Sequence, residues 1–278
     1  MNRSRAWIHF VIAWASLLFA VTAEARSALP PDDEALFQAA VARLHEGKPG
    51  EAIADFEALA DHGVIVATVS FDRGLAYVSR VRAFGEQPGD LGEAAHGFLE
   101  AKTLSSDHGL SADATRSLTL VRSEVGRRRA HAGEPVEFDP GLALGPSFLR
   151  LLSEDTWALL AIVGSIALGL GLFVRRAARE QTIRLAATVS TGVATLVLIV
   201  GTLSTFAARQ ERLSVTPGVS VSGGVRPTSD NGIVVANAPV IPEAAEVEIL
   251  ERGAGRSRVR WGSVNAWVPS GSVRAVAP

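Results

Sequence analysis

Two long apolar runs, Trp157–Val174 and Leu185–Phe206, dominate the pattern of hydrophobic and polar positions. Neither contains Asp, Glu, Lys or Arg. At about 18–20 residues, each is long enough to cross the hydrocarbon core as a helix. Backbone groups in lipid must be satisfied inside the segment, so two isolated spans are read as helices. Between the runs stand Arg175, Arg176, Arg179 and Arg184 against one acid, Glu180. Short Arg-rich loops stay cytoplasmic, which puts both large flanking regions on the other side. Ala161, Ser165 and Gly169 recur at i, i+4, i+8 in the first span, and Ala187, Thr191 and Thr195 in the second. Small residues at this spacing let helices pack closely in lipid, against each other or against another membrane protein.

Residues 32–132 carry a helical period. Phe37, Ala40, Val41 and Leu44 form one apolar stripe and Ala52, Phe56 and Leu59 another, with Gly47-Lys48-Pro49-Gly50 breaking the chain between them. Paired helices of this size suggest a tetratricopeptide (TPR) unit. Ala40 and Gly74 lie one repeat length apart, with Tyr77 just after Gly74, and Glu51-Ala52…Phe56 recurs as Glu93-Ala94…Phe98. A further helix places Ala114, Leu118, Val121 and Val125 on one face and ends near Arg127–Arg129. Prolines at 135, 140 and 146 make 133–156 a linker.

After residue 206 the helical period gives way to strand alternation. Glu246-Val247-Glu248-Ile249 and Arg256-Ser257-Arg258-Val259-Arg260-Trp261 alternate strictly around Gly253-Ala254-Gly255, a hairpin signal. Ala266–Pro269 and Ser272–Val276 supply further short strands, and together they predict a small barrel. Its first strand has no clear place within Val219–Val235.

At the other end, Arg3 and Arg5, the apolar Trp7–Val21 and Ala23-Glu24-Ala25 read as a secretory signal over 1–25. The 278 residues carry a net charge of −2, so no global field draws nucleic acid, and they contain no cysteine, which excludes disulfides and thiolate chemistry. The six histidines show no metal spacing and read as surface or helix-end residues, and no local nucleophile signature occurs. No catalytic, cofactor-binding or metal-binding residue is therefore assigned. Arg256, Arg258 and Arg260 share a strand face; they could bind an anion such as a lipid headgroup or wall polymer, or pair across the hairpin with Glu246 and Glu248. Trp261 suits the barrel core, while Trp267 could equally stack on a ligand.

The order of parts resembles the BatE-type proteins of the Bacteroides aerotolerance (Bat) group. The resemblance rests on Phe71-Asp72-Arg73-Gly74-Leu75-Ala76-Tyr77, Glu93–Phe98, Ala114–Arg122 and Ser153–Leu160, while Ile241–Leu250, Ser257–Gly262 and Ala266–Pro269 resemble a bacterial SH3 (SH3b) domain. The expected fold is a multidomain membrane protein. It comprises a TPR-like helical domain (32–132), a two-helix transmembrane hairpin (157–174 and 185–206, with loop 175–184) and a C-terminal SH3-like barrel (207–278). The resemblance implies an inner-membrane protein with both modules in the periplasm. Its implied partners are von Willebrand factor A-domain membrane proteins and a MoxR-type AAA+ ATPase, and it implies no catalytic residues. The expected function is non-enzymatic assembly, with a partner segment in the helical groove around Gly74 and Tyr77 and peptide or wall material at the barrel. The rivals are a peptidoglycan-binding anchor or sensor, using Arg256, Arg258, Arg260 and Trp267, and a hydrolase with a cryptic triad.

Overall fold

The computed structural model describes residues 29–85, 87–134, 138, 151–235 and 238–277. The secretory-signal reading and most of the proline-rich linker lie outside these residues. Five helices come first: α1 (Pro31–His45), α2 (Pro49–Asp61), α3 (Ala67–Phe84), α4 (Asp90–Leu104) and α5 (His108–His131). Pro31 and Pro49 open their helices, where a missing N–H costs nothing. Asp107 caps α5 by accepting from the Gly109 N–H at 2.8 Å. Each helix packs on its neighbour in sequence. Ala52, Phe56, Ala94 and Phe98, the recurring pairs, are fully buried, as are Ala40 and Ala114.

Helix α4 is the centre of the molecule. From Asp90 to Ala101 every residue except Glu93 is buried. Its glycines allow this from two sides. A Cβ on Gly97 would stand 2.6 Å from the Ser70 carbonyl oxygen of α3, and a Cβ on Gly92 would stand 2.5 Å from Val221 Cα of the β domain. Gly74 of α3 receives the Phe98 ring in the same way, at 2.8 Å.

Two helices long and apolar enough to span a membrane follow, α6 (Glu154–Ala177) and α7 (Gln181–Ser214). They pack as an antiparallel hairpin, with Trp157, Gly164 and Gly171 buried against Ala187, Ala194 and Gly201. These positions are seven apart, the spacing that keeps one seam facing its partner. Ala161, Ala187 and Thr191 of the expected stripes belong to the seam; Ser165 faces outward and Gly169 meets nothing. A strict four-residue spacing drifts around a helix of 3.6 residues per turn, so those stripes leave the contact after one or two turns.

Helix α7 does not stop at Phe206, where the apolar run ends, but continues to Ser214. Only Val215 separates it from the first strand, β1 (Thr216–Ser220), the strand the sequence leaves unplaced. Strands β2 (Glu246–Arg252), β3 (Arg256–Trp261), β4 (Val264–Pro269) and β5 (Val273–Ala275) complete an antiparallel sheet in the order β4-β3-β2-β1-β5, with a 3-10 turn at Ser270–Ser272 before the last strand. Val247, Ile249, Val259, Trp261 and Val268 fill its core.

The two flanking domains are not separate. Val219, Ala244 and Val276 of the β domain belong to the same apolar core as Phe56, Leu91 and Phe98 of the helices.

Candidate functional site

The open concavity of the helical domain lies between α3 and α5, floored by α4. It is a groove of about 470 Å³ lined by Leu75, Val78, Val81, Leu91, Leu120 and Val121. The residues come from one face of each helix: 75, 78 and 82 on α3, and 117, 120/121, 124 and 128 on α5. Leu120 is 59% exposed and Phe84, just past the groove on α3, is 73% exposed. Arg82 and Arg128 stand at one end, each in the last turn of its helix. The single acid there, Glu124, already accepts from both Arg127 and Arg128. The groove is therefore apolar along its length and positive at one end.

Gly74 and Tyr77, expected to form the partner site, are elsewhere. Gly74 is closed by Phe98, and Tyr77 is 7% exposed, donating to Glu57 Oε1 at 3.1 Å. They lie on the side of the helices that the chain's own β domain covers. Small size and aromaticity at these positions serve helix–helix and domain–domain contact, so no free surface remains there for a partner segment.

That covered side holds an ionic cluster drawn from both domains, buried at Arg73, His96 and Glu100 and half-buried at Arg274, Glu57 and Glu93. Arg274 of β5 donates to Glu57 Oε2 of α2 and to Glu93 Oε2 of α4, each at 2.7 Å. Arg73 of α3, 3% exposed, donates to Glu100 Oε2 at 2.8 Å and to His96 Nδ1 at 3.0 Å. Ser70 adds a second donor to Glu100 at 2.7 Å. Since arginine can only donate, His96 Nδ1 accepts, and Nε2–H donates to the Ala275 carbonyl at 2.8 Å. The imidazole is thus neutral with a fixed tautomer. Around the cluster, Glu243 accepts from the Gly92 N–H at 2.7 Å, and Arg122 donates to the Ala244 carbonyl and to Glu246.

The electrostatics follow the geometry. Burial, then the Arg73 charge, pushes the His96 pKa down to about 4. Burial pushes Glu93 up; on Glu57 burial acts upward too, but Arg274 and Arg73 outweigh it and hold the carboxyl below its usual value. The surface reading of the histidines therefore needs correcting at His96, which is 1% exposed; His45, His62, His108 and His131 are exposed as expected, and His9 lies outside the described residues.

A pH prediction follows. His96 is depressed in the folded state, so the unfolded chain binds a proton more readily between pH 6.5 and 4. Its contribution is complete above pH 6.5 and is lost as pH falls toward 4, amounting to about 3 kcal/mol. Glu93 and Glu243, both raised, slope the opposite way. The comparison with His96→Gln isolates the histidine, because glutamine can accept from Arg73 and donate to Ala275 at any pH. The urea midpoint of the wild type should fall relative to the variant between pH 6.5 and 4; parallel curves would show that His96 does not titrate with unfolding.

On the β domain the three arginines part company. Arg260 donates to Glu248, its cross-strand partner, and to Glu211 of α7 at 2.7 Å. Glu246 turns instead to Arg122 of α5. Arg258 lies on the same strand face, exposed, opposite Trp267. Arg256 stacks on Trp267, 5.3 Å from the ring centroid, and Trp267 Nε1–H donates to Asp230 at 2.5 Å. Trp261 is in the core, 3% exposed. Among the described residues no three His, Asp or Glu side chains gather so as to hold a metal ion.

The buried part of the ionic cluster has one legible trace in the sequence: between Ala94 and Ala101, His96 and Glu100 stand among Gly, Ala, Leu and Phe, where charge needs a partner. Nothing local points from there to Arg274, 178 positions on from His96. Compared with known proteins, the chain matches no family model, no curated protein and no solved structure.

Proposed function

We propose that the chain is a non-enzymatic, membrane-anchored assembly factor that holds a segment of a partner protein in the groove between α3 and α5. The carrying observation is that groove: apolar along its length, bounded by Arg82 and Arg128, and left open while the side carrying Tyr77 and Arg73 is covered by the β domain. It suits a segment of two or three helical turns with an apolar face and an acid at one end, since Ser117 to Arg128 spans about 16 Å of helix. Paired helices with repeated burial support the TPR-like reading, and the strand order β4-β3-β2-β1-β5 with its 3-10 turn supports the SH3-like one. The Bat resemblance names the candidates: a von Willebrand factor A-domain membrane protein and a MoxR-type AAA+ ATPase. On this reading the hairpin crosses the bacterial inner membrane, loop 175–184 is cytoplasmic, and both domains are periplasmic. A von Willebrand factor A-domain membrane protein would then share the membrane and meet the groove; a cytoplasmic ATPase would reach only the loop.

A wall-binding role for the β domain has less support, because Arg256 already covers the Trp267 ring and Asp230 takes its indole N–H.

The test is co-expression of the full chain with a von Willebrand factor A-domain membrane protein and co-purification in mild detergent. Leu120→Arg alters an exposed groove side chain without touching the core. It should reduce recovery of the partner about tenfold, the loss expected for one anchoring residue. Undiminished recovery would sink the groove as the binding site.

A further inference from the structure

The outer face of β3 and β4 stands close to the membrane for a geometric reason. Helix α7 runs without a break from its apolar run into its last turns, and Glu211 lies five residues beyond Phe206, about 7.5 Å along the axis. That rise is comparable with the headgroup layer on one side of a bilayer. Arg260 is bonded to Glu211, which pins one end of β3 at this height. Arg258 follows two residues along the same strand face, about 7 Å away whatever the tilt of the strand, and its own side chain can span that distance.

The composition of this face matches such a location. Arg258 is exposed and, among the described residues, makes no ion pair or side-chain hydrogen bond. Across the ladder from Arg258 are Trp267 on β4 and the exposed Glu251 on β2. The loop that folds over Trp267 is held there by the bridges of Thr228 to Trp267 and to Val234, and it carries Ile233 outward at 69% exposure. An unpaired arginine beside the covered Trp267 and an exposed aliphatic side chain on the loop above it form a surface suited to the bilayer interface.

We propose that this face, centred on Arg258 and Trp267 with Ile233 at its tip, rests on the membrane that α6 and α7 cross and binds its anionic lipid headgroups. Arg258 supplies the charge complementarity. Glu211–Arg260–Glu248 sets the face at headgroup height. The inference rests on α6 and α7 spanning the bilayer and not on the partner groove.

The chain has no cysteine, so Ile233→Cys can be labelled alone with a small fluorophore. The full-length protein is placed in nanodiscs of phosphatidylcholine alone or with one-third phosphatidylglycerol. Headgroup-attached nitroxide lipids serve as the quencher. Leu196→Cys, in the middle of α7, and Asp113→Cys, on exposed α5, give the lipid and aqueous references. The label at 233 should be quenched strongly in anionic discs and weakly in neutral ones, with high salt relieving it. Arg258→Gln should lower the membrane-bound ratio about fivefold. Equal, weak quenching at 233 in both disc types, with Leu196 still quenched by lipids bearing the nitroxide on the acyl chain, would overturn the proposal while leaving the hairpin in the bilayer. A Leu196 label in water would overturn the proposal through its premise. Neither result bears on partner capture at Leu120.

Discussion

Replacing Arg274 with alanine is expected to cost about 2–3 kcal/mol, because it leaves the half-buried carboxylates of Glu57 and Glu93 without their shared cation. The penalty belongs to the orphaned acids more than to the lost attraction. Removing all three charges together, as Arg274→Met with Glu57→Gln and Glu93→Gln, should therefore recover much of the loss. The acids also respond to pH: in Arg274→Ala both carboxyls should take up protons at higher pH than in the wild type, so the variant's deficit narrows as pH falls below the carboxylate range. Urea titrations of the full-length protein in detergent, at neutral and at mildly acidic pH, measure both effects. Equal stability of Arg274→Ala and the wild type at neutral pH would mean that the two domains are not joined through this residue.

Gly92→Ala should be the second large effect, and its sign is opposite to what helix propensity predicts. Alanine is the better helix former by up to about 1 kcal/mol, so an exposed helical glycine gains from the change. Half-buried Gly126 in α5 has room for the same gain, since its added Cβ would meet only the Phe138 ring at an ordinary 3.5 Å. At Gly92 the added carbon would stand 2.5 Å from Val221 Cα and 3.0 Å from the Ser220 carbonyl oxygen, which are backbone and cannot swing aside. The β domain must back away from α4, at a cost of about 1–3 kcal/mol. Hydrogen exchange would locate the damage: amides of β1 and β5 should lose protection in Gly92→Ala, whereas Gly126→Ala leaves them unchanged or better protected.

These two residues mark what the sequence can and cannot convey. The helix stripes at Ala52–Leu59 and Ala114–Val125 and the alternation at Glu246–Ile249 and Arg256–Trp261 report local periodicity, and the structure places their apolar members inward, whereas the two long apolar runs turn most of their large side chains outward. The hairpin pairing of Glu248 with Arg260 was legible because both lie in phase around one turn. What periodicity does not carry is the contact between distant segments. Glu57, Glu93 and Arg274 look like three ordinary surface charges until β5 is laid on α2 and α4. Gly74 and Tyr77 read as a ligand groove because small and aromatic residues suit both a partner's approach and a domain's. The start of the β domain was missed because α7 overruns its apolar segment by two turns of polar residues, and strand β1, Thr216–Ser220, contains a proline and a glycine that hide its character.

The absence of a joint between α7 and β1 makes the molecule a lever. A 34-residue helix is about 51 Å long, and a tilt of 10° swings its far end by about 9 Å. One residue, Val215, is too short a hinge to absorb that swing, and Arg260 fastens the sheet to the helix beside it. Because the sheet shares its core with α2, α4 and α5, the groove between α3 and α5 is carried along as one body. Helices adjust their tilt to the thickness of the bilayer. If α6 and α7 cross a bilayer as proposed, the position of the groove above it is thereby geared to lipid thickness.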